Sequence, residues 1–236
     1  MNILVIGGMH GNEPLGLEVI DLFKKNPTEN VSTLFANILA IKANTRYTFQ
    51  DLNRSFPGNI KSKLYEERRA AEITEICKKY DLVIDFHNTH CSNNDCSFVG
   101  KSAQQNLFKI SQSLGLNKII VADYDCLNKY APNCISVEVS LDSDRRSPEL
   151  WYKLIFDLAV NKKVNSTTKI QKFSFVYRIT LKDKRHYTLE DKNLKAFVPL
   201  DPELANKLGV SNPAYPIFVG DKYTPYNYGG LLNEIE

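Results

Sequence analysis

Residues 2–13 read NILVIGGMHGNE, an apolar run (Ile3 to Ile6) that enters two glycines and then places His10 and Glu13 three positions apart. Pro14 follows and opens an amphipathic stretch. A short apolar run bounded by glycine predicts a buried strand, and proline is favoured in the first turn of a helix. His10 and Glu13 therefore fall on the turn leaving a strand's C-terminal end, where open α/β sheets place their ligands. An imidazole and a carboxylate converging there suit zinc, whose catalytic sites take His and Glu ligands and keep one position open. A surface His beside a Glu is the plainer alternative for this pair taken alone.

A second turn of the same kind changes that balance. Residues 80–87, YDLVIDFH, predict another buried strand, this one ending in His87. His10, Glu13 and His87 together make the two-His, one-Glu set of hydrolytic zinc enzymes, and imply one zinc per chain. Asp85 lies two residues before His87, on the same side of the strand, and can orient a ligating imidazole. An ordinary turn bond is the competing role for Asp85.

Outward from these turns, Leu15, Val19, Leu22 and Phe23 mark one helical face, and residues 64–80 predict a helix with Ile73, Ile76, Cys77 and Tyr80 inward. Val31–Ala36 and Ile38–Ala43 read as two strands, and residues 44–60 as a polar, aromatic loop. Further strands are expected at 96–100, 119–122 and 135–139, with helices from Ala103 to Gly115 and after Ser147-Pro148. This alternation predicts an α/β domain with a mixed, largely parallel sheet flanked by helices, over residues 1–163. Beyond it, Phe173, Phe175, Tyr177, Ile179 and Leu181 alternate with mostly polar residues, and residues 164–236 read as a small β-rich C-terminal domain.

Four ordered blocks, GGMHGNEP, NTRYTFQDLNRSFPG, DFHNTH and SVEVS, resemble the succinylglutamate desuccinylase/aspartoacylase family of zinc carboxypeptidase-like hydrolases. The resemblance spans roughly the first 140 residues firmly and the C-terminal quarter loosely. It implies a zinc-dependent amidohydrolase that deacylates a small N-acyl amino acid. In that comparison Arg46 of NTRY polarises the scissile carbonyl, a role that a guanidinium suits because negative charge develops there. Asn53 and Arg54 of DLNR hold a substrate carboxylate, and Asp51 braces their loop. Glu138 of SVEVS is the catalytic carboxylate, although Ser140 stands where the family has glycine. A buried strand carries a Glu at a cost, which fits a proton-transfer role beside a metal-bound water. Tyr124 matches a pocket tyrosine by spacing, and Tyr223, in an altered C-terminal motif, is the remaining substrate-binding candidate. Asn128 occupies the position at which aspartoacylases carry an arginine for a side-chain carboxylate, so specificity for N-acetylaspartate is in doubt.

Composition bounds the rest. The chain has 236 residues, 43% hydrophobic and 24% charged, with 30 basic and 27 acidic side chains giving a formal net charge of +3. That balance, with basic residues dispersed, argues against a nucleic-acid partner. No apolar run approaches a membrane span. The N-terminus enters a strand with no leader-like segment, and five cysteines fit reduced thiols, so a cytoplasmic location is expected. Cys91 and Cys96 lack the partner ligands of a structural zinc and read as loop thiols; His90 and His186 read as surface histidines. Homo-oligomerisation is left open. Two rivals stand beside the deacylase: a zinc carboxypeptidase acting on peptides, and a non-catalytic ligand-binding relative. The segment GGMHGN lacks the Lys-Ser/Thr ending of a phosphate loop.

Overall fold

Strand β1 (Ile3–Gly7) and helix α1 (Pro14–Lys25) occupy the stretch read first. They are followed by β2 (Val31–Phe35), α2 (Ile38–Ala43), α3 (Tyr65–Cys77), β3 (Leu82–Thr89) and β4 (Cys96–Gly100). Next come α4 (Asn106–Ser113), β5 (Lys118–Ala122), α5 (Leu127–Tyr130), β6 (Cys134–Ser140) and α6 (Pro148–Ala159). The chain ends with β7 (Gln171–Thr180), α7 (Leu181–His186), α8 (Pro202–Lys207), β8 (Ala214–Ile217) and β9 (Asn227–Ile235). This computed structural model describes residues 1–162, 168–190, 193–220 and 227–236.

Among the described residues, nine strands join one sheet in the order β2-β1-β3-β6-β4-β5-β7-β9-β8. From β2 to β6 the pairing is parallel, β4 runs antiparallel to β6, and β5 and β7 continue parallel to β4. Antiparallel β9 and β8 finish that edge. The result is an α/β fold with a mixed, largely parallel sheet flanked by helices. Side chains alternate across it as a period of two requires. Ile3 and Val5 face α1 and α6, packing with Leu15, Val19, Phe23, Trp151 and Ile155. Leu4 and Ile6 face the other way, with Ala70, Ile73 and Cys77 of α3. The C-terminal strands contribute to a separate apolar cluster, in which Ile179, Leu194, Leu200, Ala205, Ala214 and Leu231 are buried together.

Ile38–Ala43, expected as a strand, is the helix α2. A six-residue apolar run does not distinguish the two by periodicity. What decides it is Asn37, whose side-chain oxygen accepts from Ala40 N at 3.1 Å and caps the first turn. The helix also lets Ala40 lie against Gly11, where a Cβ would stand 2.0 Å from the Ala40 carbonyl carbon. The turn carrying His10 is thereby pressed onto α2, and Gly8 enters it at a φ of 72°, which glycine takes without steric cost. The strand expected to end at His87 runs on to Thr89.

Candidate active site

Parallel pairing sets β3 and β6 in register, with Asp85 beside Ser136 and His87 beside Glu138. On the other side of β6, β4 places Phe98 against Ser136 and Cys96 against Glu138. Two polar rows thus cross an otherwise apolar face at the C-terminal end of β3. His10 and Glu13 approach them from the turn after β1, which lies next to β3.

His10 Nδ1 lies 2.7 Å from Glu13 Oε1, and His87 Nδ1 lies 3.0 Å from Glu13 Oε2 and 3.3 Å from His10 Nδ1. All three residues are buried, with 3 to 5% of their surface exposed. Each imidazole turns its far nitrogen to another carboxylate: His10 Nε2 to Asp51 Oδ1 at 3.1 Å, and His87 Nε2 to Asp85 Oδ2 at 2.9 Å. In the tautomer that donates Nε2–H outward, which a bound cation would favour, both Nδ1 lone pairs and the Glu13 carboxylate point at one another. Three electron-rich donors facing inward, braced by carboxylates behind, are the chemistry of a divalent-metal site. The candidate ligand atoms lie within 4.8 Å of one another, and the residues fit a zinc ion.

The titration behaviour follows from this crowding. Burial would raise the Glu13 pKa, but the charges and hydrogen bonds of His10 and His87 hold it below the usual carboxylate range. Burial would lower that of His87, yet Asp85 and Glu13 push it well above the ordinary imidazole value. Asp51 is likewise held low against its burial by His10, Arg46 and Arg54. Glu13 precedes α1 without capping the helix itself, because its oxygens serve His10, His87 and Asn88 N. Asn88 supplies the missing acceptor, its Oδ1 taking Leu15 N at 3.0 Å.

The remaining sequence candidates meet at the same cavity, which His10, Glu13, Arg46, Asn53, Arg54, His87, Tyr124 and Glu138 all line. Arg46 is held by Asp51 Oδ2 (NH2 at 3.1 Å) and stands 3.6 Å from Glu13 Oε1. Asn53 Oδ1 accepts from Leu127 N at 3.3 Å, and the Arg54 guanidinium lies 4.8 Å over the Tyr124 ring. Tyr223 falls outside the described residues. Asp51 does more than brace its loop, since one carboxylate touches His10, Arg46 and the Asn53 amide. Sequence reasoning missed Asn88, Ser136, Phe98 and Phe218. Asn88 and Ser136 each had a local signal, the first beside His87 in DFHNTH and the second two residues before Glu138 in SVEVS. Cys91 and Cys96 are no part of the ligand cluster, and none of the five cysteines forms a disulfide.

An α/β sheet with a His-Glu-His cluster at adjacent parallel strand ends defines an α/β protein with one candidate metal site among its described residues. Residues 1–139 match the succinylglutamate desuccinylase/aspartoacylase catalytic domain, and the chain belongs to that family. It is similar to aspartoacylase of Mus musculus (36% identity over 41% of this chain) and to an N-acyl-aromatic-L-amino acid amidohydrolase of Rattus norvegicus (30% over 41%). In each case the matched region spans 36% of the relative's length. Among solved structures, the succinylglutamate desuccinylase of Chromobacterium violaceum superposes with a TM-score of 0.74 at 18% identity, covering 99% of this chain and 84% of that one. Murine aminoacylase 3 gives 0.71 at 18%, covering 100% and 95%. These likenesses extend the same fold across the C-terminal strands. Among the described residues, no helix is long and apolar enough to cross a membrane.

Proposed function

We propose that the chain deacylates small N-acyl amino acids, with a zinc ion held by His10, Glu13 and His87. The observation that carries this is the convergence of those three donors with Arg46, Arg54 and Glu138 on one cavity. Zinc supplies Lewis acidity toward a carbonyl oxygen and acidity to a bound water. Glu138, one strand across from His87, takes the proton of the attacking water and returns it to the leaving amine. Arg46, oriented by Asp51 and Glu13, directs its guanidinium charge toward the developing oxyanion. Arg54, set on Tyr124, grips the α-carboxylate. The Asn53 side-chain Oδ1 accepts from Leu127 N, so its Nδ2 is what it offers to that carboxylate.

The division of the chain near residue 163 belongs to the same proposal, with 1–163 carrying the chemistry. The second part extends the sheet edge through β7, β9 and β8 and has a core of its own. Amine release from a panel of N-acetyl amino acids, with a short peptide alongside, tests the function. Zinc-dependent release from the acetyl amino acids is expected. Cleavage of the peptide alone would move the assignment to a carboxypeptidase, and release from neither would leave a binding protein.

A further inference from the structure

Ser136 has no part in the chemistry proposed above, yet it stands between the cavity wall and the ligand cluster. It lines the cavity, and on β6 it faces Asp85 of β3 in the parallel register. Its buried hydroxyl donates to Asp85 Oδ2 at 3.1 Å, the same oxygen that meets His87 Nε2 at 2.9 Å. The other oxygen, Asp85 Oδ1, is buried with no hydrogen-bond partner among the described residues. The carboxylate has no exposed surface and thiols for neighbours. Burial and then the Asp85 charge push the Cys77 thiol up to about 12 and hold that of Cys134 well above its ordinary value. A buried charge so sparsely bonded is costly, and the two bonds to Oδ2 are what fix its orientation.

Asn128 fixes the hydroxyl from its other side. Its Nδ2 donates to Phe98 O at 3.1 Å and Cys134 O at 3.3 Å, and carbonyls only accept, so Oδ1 is the end turned to Ser136 Oγ, at 3.0 Å. Ser136 therefore has one hydrogen and two acceptors before it, and the charged Asp85 takes the stronger bond. One row of hydrogen bonds thus runs from Asn128 through Ser136 and Asp85 to His87. We infer that Ser136 is a positioning residue for the metal site. Its hydroxyl holds Asp85 where that carboxylate takes the Nε2–H of His87, leaving His87 Nδ1 turned to Glu13 and His10. The inference rests on the zinc reading of the proposed function and is independent of its substrate.

Zinc affinity is read by competition with a chelating dye for the parent chain, Ser136→Ala, Ser136→Thr, Asp85→Asn and the double variant Ser136→Ala/Asp85→Asn, each checked for folding by circular dichroism. Ser136→Ala should weaken zinc binding by about threefold to tenfold, less than the roughly 10- to 100-fold of a direct outer-shell partner because it acts one bond further out. Ser136→Thr, which keeps the hydroxyl, should bind zinc as the parent does. In the Asp85→Asn background, Ser136→Ala should cause no further loss, since residues acting through one network are not additive. Parental affinity in Ser136→Ala, an equal loss in Ser136→Thr, or a full further loss in the double variant would overturn the inference and leave the metal site standing. No zinc binding by the parent chain would overturn the inference and the zinc reading together. The Ser136 effect in a chain that releases amine from no acetyl amino acid would uphold the inference and defeat the deacylase reading.

Discussion

His10, Glu13 and His87 come from the ends of two neighbouring strands, whereas Phe98, Tyr124 and Phe218 come from three elements far apart in the chain. The first group is fixed by short-range chemistry. A buried strand, a tight glycine turn and a helix start leave little freedom, and His87 is braced by Asp85 two residues away, while the brace on His10, Asp51, comes from a loop 41 positions on. The second group is fixed by long-range packing, with Phe218 pinned by Asn94 from the β3–β4 connection. The candidate metal donors therefore sit on two short, locally readable turns, and the aromatic side of the cavity depends on the assembled sheet.

Three substitutions sharpen that contrast, in falling order of effect. Glu138→Gln keeps the size and hydrogen bonding of the side chain but removes its basicity. We expect kcat to fall by about 10²- to 10⁴-fold, the usual contribution of a general base, with the metal retained. Near-normal turnover would assign the proton transfer elsewhere. Asp85→Asn acts one shell further out, where it loses the charge that orients His87. Metal affinity should weaken by roughly 10- to 100-fold, as outer-shell changes do, and a competition titration with a chelating dye would detect it. Unchanged affinity would reduce Asp85 to a packing residue.

The smallest effect is expected at Glu66, which ties the loop of residues 44–60 to α3. Its Oε1 accepts from Thr48 Oγ1 at 2.8 Å and from Phe49 N at 3.2 Å. Burial would raise its pKa, but these bonds hold it below the ordinary value of 4.5. A depressed carboxylate stabilises the fold above its unfolded pKa and loses that contribution as pH falls through the lower, folded one. The wild-type chain should thus lose loop protection, read by hydrogen exchange of residues 44–60, only below about pH 4.5. Glu66→Gln, which keeps an acceptor oxygen but not the charge, should cost about 1 kcal/mol, the net scale of a hydrogen bond, and flatten that acid limb. An acid limb unchanged in Glu66→Gln would place the titrating group elsewhere.

The candidate metal cluster is legible in the sequence for a physical reason. NILVIGGMHGNE and LVIDFHNT each carry strand, turn and donor within a dozen residues, so periodicity and residue chemistry coincide. Ile38–Ala43 was misread because six apolar residues satisfy either element, and the deciding Asn37 cap lies just outside the run. Asp51 was legible as a loop brace, but its bond to His10 spans 41 positions that no local pattern encodes. Asn128 lines the cavity as the sequence position suggests, while the hydrogen bonds of its amide to Phe98, Cys134 and Ser136 come from strand pairing that no local pattern encodes. Phe218 carried no signal at all, since a left-handed φ at phenylalanine runs against its propensity.

The central claim, that the two strand-end turns jointly form one metal site, is tested most directly by zinc content. Elemental analysis of the purified chain should give about one zinc per molecule, the stoichiometry of a single three-ligand site. His10→Ala and His87→Ala, one from each turn, should each come close to none while remaining folded by circular dichroism. Full zinc retention in both folded variants would contradict the account.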